Sequence, residues 1–412
     1  MEHVVITGTG IVSPVGNDTD TFFNHLLEGK SGIDRISVES FSAFPGGEVS
    51  LNTDEWKSRL GIPDDAVIPR TTGFAFAALC EAMQRAGLTM QSLKNHRVAV
   101  ILGGSSSFPE VSELYRTEYE SIYGSHSAPD VYGTFAHFHN GFNAAAAIAA
   151  VLQIRGAVET ISNACASSAA AIGKAAELIR SGQYDIVITG GADSGIDVST
   201  LSLFSVLNVM TKDRDAAHSC RPFSKNRTGC VVGEGAGILI LESASGAAAR
   251  SAGCSAEIIG CASVTDTSHI TSPDMTGSSY KAAMEKTLES SIVPDISVDY
   301  INAHGTGTYY NDMLETLAIK SLFREHAYEI PVSSIKAQTG HLLSAAGAVE
   351  CIAAAEALKR GILPPTVNLN EADEACNLDY VSDGPRRTEI SVALSNSFGF
   401  GGQNTALLLT KG

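Results

Sequence analysis

Short apolar runs alternate along the whole chain with segments whose apolar residues recur at helical spacing. That alternation restricts the fold more than any other feature. Residues 4–7, 97–102, 184–189, 237–241, 300–302 and 391–394 read as strands. Residues 72–86, 167–180, 279–288, 313–322 and 345–360 read as helices. Such a pattern puts helices over both faces of buried sheets, so an α/β fold is expected. No linker rich in Pro, Ser or like charge divides the 412 residues, which predicts a single compact unit. Hydrophobic residues make up 44% of the chain, enough to bury a large core or two smaller fused ones.

A weak internal echo suggests two halves, 1–250 and 251–412. Residues 159–182 run from an apolar strand through a small-residue turn into an alanine-rich helix that ends at Arg180-Ser-Gly182. Residues 330–361 follow the same plan and end at Lys359-Arg-Gly361. Two such halves, joined near residues 245–255, would set each turn at a helix N-terminus facing a shared cleft. Alanine-rich helices are common, so the echo alone carries little weight.

The formal charge of −17 argues against general nucleic-acid binding and against docking on an anionic membrane. The eight cysteines form no C-x-x-C pair and no zinc-like cluster with histidine. The chain opens with Met-Glu-His and enters a strand without a signal-like run. Its notable apolar run, 144–152, is far shorter than the roughly 18 residues a membrane span needs. The economical expectation is a cytoplasmic protein with free thiols.

Asn163-Ala-Cys165-Ala-Ser-Ser stands where a strand gives way to a helix. A thiol there meets the first-turn N–H groups, whose partial positive charge favours thiolate, and small neighbours permit the sharp bend that exposes a nucleophile. Packing as a small buried hydrophobe is an equally good reading of this segment alone. Cys80 and Cys351, inside apolar helices, read as core. A nucleophilic Cys165 needs partners, and two Gly-flanked histidines qualify. His304 in Asn302-Ala-His-Gly-Thr-Gly-Thr308 follows a strand, and open α/β sheets bind ligands at strand C-termini. His341 in Lys336-Ala-Gln-Thr-Gly-His341 precedes a small-residue helix. Either histidine alone also reads as a satisfied polar group in a turn. The loop Phe398-Gly-Phe-Gly-Gly402 exposes backbone N–H groups suited to a developing oxyanion, or is simply a terminal turn before a strand at 405–410.

Together these segments resemble the elongating type II β-ketoacyl-[acyl-carrier-protein] synthases, condensing enzymes of the thiolase superfamily. The likeness runs nearly end to end. It includes Val5-Ile-Thr-Gly-Thr-Gly-Ile-Val-Ser-Pro-Val-Gly16, Arg221-Pro-Phe-Ser-Lys, Val232-Gly-Glu-Gly-Ala-Gly237, Thr339-Gly-His-Leu-Leu-Ser-Ala-Ala-Gly347, Leu363-Pro-Pro-Thr-Val-Asn368 and Asn396-Ser-Phe-Gly-Phe-Gly-Gly402. The resemblance implies a thiolase-like duplicated five-layer αβαβα fold and a homodimer. On matching positions it implies Cys165 as acyl-accepting nucleophile and His304 and His341 as the decarboxylation pair. Lys336 corresponds to a buried lysine with Glu350 or Glu315 as its acidic partner, and Phe398 to the gate residue whose N–H completes an oxyanion hole. Thr306, Thr308 and Ser272 would hold the phosphopantetheine arm. No metal or redox cofactor is implied, because that arm arrives on the acyl carrier protein with the acyl and malonyl thioesters.

Several positions depart from the fatty-acid pattern. Thr306-Gly-Thr308 is followed by Tyr309-Tyr310, where fatty-acid enzymes commonly show Ser between the threonines and Pro after them. Ala166-Ser-Ser168 after the cysteine is nearer to polyketide ketosynthases, Ser224 stands where Asp is usual, and Gly156-Ala157 replaces the frequent Gly-Pro. The segment that often greets the carrier with Lys and Arg reads here Gly61-Ile-Pro-Asp-Asp-Ala-Val-Ile-Pro-Arg70. Lys57, Arg59, Arg70, Lys212, Arg214, Arg221, Lys225 and Arg227 are candidates for a substitute basic patch, although solvated surface charge is the better reading for most. Residues 103–108 and 135–142 are expected to shape the acyl tunnel. The expected activity is decarboxylative condensation, in fatty-acid elongation or in a dedicated polyene or polyketide pathway, the latter with a chain-length-factor-like partner. A degradative thiolase would carry a second cysteine where Phe-Gly-Phe-Gly-Gly stands, and an inactive chain-length factor would lack Cys165.

Overall fold

The computed structural model describes residues 2–51, 54–64, 66, 68–104 and 144–412. The expected tunnel segments therefore lie outside the described residues, save for Gly103 and Gly104.

Ten strands form one mixed sheet built from two halves of the same plan. The first half runs β5 (Val158–Ile161), β4 (Val98–Gly103), β6 (Ile186–Asp193), β7 (Gly235–Ser243), β1 (Val4–Val12). The second runs β10 (Val332–Ser333), β9 (Tyr300–Asn302), β13 (Val392–Gly399), β14 (Gln403–Lys411), β8 (Ala256–Thr265). In each half the three outer strands are parallel and the two inner ones antiparallel. Within the sheet the two halves are joined where β1 pairs with β8, at Val5 with Glu257 and Ile6 with Ala256. Two short strand pairs, β2 (Asp34–Arg35) with β3 (Pro45–Gly46) and β11 (Ile362–Leu363) with β12 (Arg386–Arg387), lie outside this sheet.

The helices complete five layers. α1 (Thr19–Leu27) touches β1 and turns Phe22, Phe23 and Leu26 into the central cluster, and on the outer face of the first half-sheet α2 (Asp54–Leu60) touches α3 (Arg70–Arg85). α3 covers β1, β6 and β7, and beyond the short α4 (Met90–Leu93), α5 (Ala144–Leu152) covers β4 and β5. Between the half-sheets lie α6 (Ser167–Arg180) and, after α7 (Val198–Val206) and α8 (Ala244–Ala249), the later helix of the same layer. On the far face α9 (Ser278–Glu289) covers β8 and β14 and packs on α10 (Tyr309–Phe323). The short α11 (Lys336–Thr339) then leads to α12 (Ala346–Arg360), which joins α6 in the central layer.

α6 packs on β4 and β6 of its own half and reaches β8 and β14 of the other; α12 packs on β13 and β14 and reaches β6 and β7. One hydrophobic cluster runs through this middle layer and both sheets. Burial on both faces is why β1, and β6 up to its terminal Asp193, are continuously apolar or small and buried rather than alternating.

The strands and helices read from the sequence stand within a few residues of those observed, and 167–180 and 300–302 coincide with α6 and β9. The sequence reading missed the helices α1, α2, α5, α7 and α8 and, in the large sheet, β8. Its run Ala-Glu-Ile-Ile-Gly-Cys-Ala-Ser-Val-Thr has Gly260 and small residues in the middle, which blur any strand signal. All eight cysteines are unpaired, and Cys351 lies in the central cluster as expected.

The central helices approach closely where Gly347 faces Ala169. A Cβ at 347 would lie 2.9 Å from the Ala169 nitrogen and 2.9 Å from its Cβ. Just beside it, Ser168 Oγ accepts from the Ala348 N–H at 2.9 Å, satisfying a donor in the first turn of α12. Gly347→Ala is expected to destabilise the protein by about 1–3 kcal/mol through overpacking. Urea unfolding measures this, and an unchanged midpoint would mean the two helices tolerate separation.

Candidate active site

Each central helix is preceded by the same strained turn. Ala164 (φ 47°) opens the 3₁₀ turn Ala164–Ala166 before α6, and Leu343 (φ 50°) opens Leu343–Ala345 before α12. Non-glycine residues seldom adopt this conformation. It swings the chain so that the second residue of each turn, Cys165 or Ser344, stands at the helix N-terminus. Ser344 Oγ is consumed by Asp193 Oδ2 at 2.6 Å and the Ala192 carbonyl at 3.1 Å. Cys165 instead lines a cavity of about 610 Å³. The two halves thus share a plan, and only one presents its nucleophile to open space.

Cys165, His304, His341, Thr306, Thr308, Ser272 and Phe398 all line that cavity. Cys165 is 7% exposed, so its sulfur is deeply set yet reachable. Helix position was expected to favour thiolate. The structure reverses this: burial pushes the Cys165 thiol up to about 11, with the Lys336 charge and a backbone N–H from Phe400 pulling it only partly back.

That N–H also corrects the expected gate residue. Phe398 remains within β13, its ring stacked on Tyr280 at 3.9 Å and edge-on to His304 at 5.9 Å. The amide that faces the sulfur belongs to Phe400. Gly399 makes this possible, since a Cβ there would sit 3.1 Å from the Cys165 nitrogen and 3.0 Å from the Asn163 carbonyl. The strand end therefore crosses directly over the cysteine turn.

The histidines are fixed from behind. Lys336 is 1% exposed, and its ammonium has three N–H donors. These meet three acceptors: the His304 carbonyl at 2.6 Å, His304 Nδ1 at 3.3 Å and Glu350 Oε1. Accepting at Nδ1 leaves the His304 ring proton on Nε2. His341 reaches the same tautomer by another route, because its Nδ1 accepts from the Leu343 N–H at 3.3 Å. Burial, and then the Lys336 charge, hold both imidazoles well below their ordinary pKa of 6.5. The rings stand edge to face, 5.2 Å apart. The result is two neutral rings, each with Nε2–H as its free donor.

The two candidate acids divide their work. Glu350 pairs with Lys336, and burial pushes its carboxyl up to about 7 against the attraction of that ammonium. Glu315 does not touch Lys336. It accepts from the His304 and Gly305 N–H groups at 2.9 Å each and from Asn396 Nδ2 at 3.0 Å, and so braces the histidine turn. The backbone of His341 is anchored separately, its N–H donating to the Val231 carbonyl at 2.7 Å while its carbonyl accepts from Gly233 at 2.9 Å.

At the mouth, Thr306 and Thr308 join through their hydroxyls at 2.9 Å, and Ser272 is exposed nearby. Arg227, grouped with surface cations in the sequence, is buried instead. It donates to the Thr308 carbonyl at 3.3 Å, the Tyr309 carbonyl at 3.0 Å and Asp373 Oδ2 at 2.8 Å, and lies 3.8 Å from the buried Asp312. Most of the proposed patch is likewise occupied: Arg59 by Glu55, Arg70 by Glu234, Arg221 by Asp213, Lys225 by Glu371, and Lys57 by two backbone carbonyls. Sequence reasoning missed Tyr280 and Asn404 as lining residues. Neither side-chain polar atom of the buried Asn404 has a partner among the described residues.

Beta-ketoacyl synthase N-terminal and C-terminal domains match residues 1–247 and 255–370. The chain is 34% identical over 413 residues to a 3-oxoacyl-[acyl-carrier-protein] synthase 2 of Staphylococcus aureus (strain COL), covering 100% of this chain and 98% of the relative. Among solved structures, a type II PKS acyl-carrier protein in complex with its ketosynthase bound to the hexaketide gives a TM-score of 0.87 at 30% identity, covering 100% of this chain and 99% of that one. The ishigamide ketosynthase/chain length factor gives 0.87 at 29% identity with the same coverage.

Because the thiol is protonated at rest, alkylation of Cys165 by iodoacetamide is expected to accelerate with pH towards an inflection near 11, well above the ~8.5 of a free thiol. Mass spectrometry of the modified peptide follows it. An inflection below 8 would contradict the desolvated thiol.

Proposed function

The chain belongs to the β-ketoacyl synthase family, and from that premise we propose that it elongates carrier-bound acyl chains by decarboxylative condensation with a malonyl thioester. The observation that carries this reading is the pair of neutral Nε2–H imidazoles lining one cavity with Cys165.

Two half-reactions follow. Cys165 attacks the thioester of an acyl chain delivered on a phosphopantetheine arm. The carbonyl oxygen, as it becomes an oxyanion, rests on the N–H groups of Cys165 and Phe400. The carbon–sulfur bond to the arm breaks, and the thiol proton of Cys165 ends on the departing sulfur. A malonyl thioester then takes its place, its arm held at Thr306, Thr308 and Ser272. Its carboxylate leaves as CO2, and the electron pair of the broken bond forms an enolate. His304 and His341 stabilise the enolate oxygen by donating from Nε2, and as neutral donors they need no proton transfer. The enolate carbon attacks the acyl-cysteine, a C–C bond forms, and the Cys165 sulfur is expelled and reprotonated. Lys336 acts through His304 by fixing its tautomer. No metal or redox cofactor takes part.

The partner is an acyl carrier protein. A homodimer is supported by β5, the outermost strand of the sheet among the described residues, where Val158 is 37% exposed and no described strand pairs with the outer edge. The protein works in the cytoplasm; among the described residues no helix is long and apolar enough to cross a membrane. A second reading, service in a polyketide or polyene pathway with a chain-length-factor-like partner, is favoured by Thr306-Gly-Thr308 followed by two tyrosines.

Cys165→Ala is expected to abolish acyl transfer while retaining decarboxylation of malonyl carrier. His304→Ala or His341→Ala is expected to reduce decarboxylation by about 100-fold or more, as loss of one such donor does. Labelled CO2 release and intact-protein mass read the two steps separately. Decarboxylation that survives loss of both histidines would sink the assignment.

A further inference from the structure

The mouth of the catalytic cavity is ringed by apolar side chains that face solvent. Val206 is 84% exposed, Ile270 78%, Tyr309 59%, Leu203 56% and Tyr310 53%. These are five of the ten large hydrophobic side chains exposed among the described residues, gathered around one opening. Ile270, Tyr309 and Tyr310 themselves line the cavity. Leu203 and Val206 sit three apart on α7, and Leu207, which also lines the cavity, continues their stripe. Concentrated exposed apolar surface of this kind marks an interaction site.

Cations offer little at the same place. Of the eight considered for a basic patch, seven are bound to carboxylates or carbonyls of the protein, Arg214 among them through the Thr211 carbonyl at 3.5 Å. Lys212 is exposed and lines the cavity, and Arg214 sits over the Phe44 ring, its guanidinium carbon 3.6 Å from the ring centre. We propose that the acyl carrier reaches this cavity by seating an apolar patch, presented around its prosthetic-arm serine, on the ring formed by Leu203, Val206, Ile270, Tyr309 and Tyr310. Lys212 and Arg214 only trim its edge. The inference rests on the condensing function above. Its basis is positional: whatever threads a pantetheine arm to Cys165 must press its own surface against this rim while the arm is inside. Recognition is then driven by apolar burial and is nearly blind to salt, whereas docking led by cations weakens steeply as salt rises.

Leu203→Glu and Val206→Glu test this in the full-length protein. Both positions are exposed, outside the cavity lining, on a helix capped by Asp197, so folding is preserved. Acylation of Cys165 is followed by intact mass with two donors, octanoyl acyl carrier protein of the type II fatty-acid class and octanoyl-N-acetylcysteamine, which needs no docking. The glutamates are expected to slow the carrier-borne reaction by about tenfold or more, as loss of an interface anchor does, and to leave the small thioester within about twofold. Raising salt from about 0.1 M to 1 M, over which the screening length contracts from about 10 Å to about 3 Å, is expected to change the wild-type carrier rate by less than about threefold. Unchanged carrier rates in the variants would overturn the proposal, as would a steep loss with salt. A variant that alters the sedimenting mass would overturn it too, assigning the rim to a second copy of this chain. If neither donor acylates wild-type Cys165, the condensing function itself fails.

Discussion

The ammonium of Lys336, closed off from solvent between a carboxylate, a carbonyl and a ring nitrogen, is the interaction on which the rest of the site depends. A buried charge is tolerated only when every donor is matched, and here all three are. In meeting that demand the lysine settles the tautomer of His304 and lowers its basicity from behind. The same charge acts on His341 and on the Cys165 thiol. One cation thus biases three reactive groups while touching none of the reacting atoms.

Duplication of the fold explains how these groups meet. Each half delivers a strand, a strained turn and a helix to the middle layer, so the N-termini of α6 and α12 arrive side by side. The halves have diverged at the equivalent turn residue. Ser344 is tied into the framework by Asp193, whereas Cys165 faces the cavity. A single nucleophile beside two donors is what an acyl-enzyme followed by a carbanion step requires, and an asymmetric pair of matching halves supplies it. The glycine-rich return from β13 then lays a backbone amide over the sulfur.

The sequence made the α/β layering legible because buried strands and long amphipathic helices carry strong periodic signals. The cysteine and the two histidines stood out through their glycine and alanine surroundings. What stayed hidden depended on three-dimensional neighbours. Phe398 and Phe400 differ by one β-alternation, and only the crossing at Gly399 reveals which amide faces Cys165. A helix N-terminus argued for a thiolate, but burial of the sulfur outweighs the Lys336 charge and the Phe400 N–H that favour it. Glu350 and Glu315 were interchangeable as acids until their partners were seen. Arg227 counted as surface charge because nothing in a string of residues shows that Asp312 and Asp373 lie against it.

The central claim concerns where two protons sit, and nitrogen-15 NMR of the histidine rings in the intact protein at neutral pH reads that directly. The account expects both His304 and His341 to be neutral with hydrogen on Nε2, and to stay so as pH falls through 6.5. Imidazolium signals from either ring near neutrality, or hydrogen on Nδ1, would contradict it.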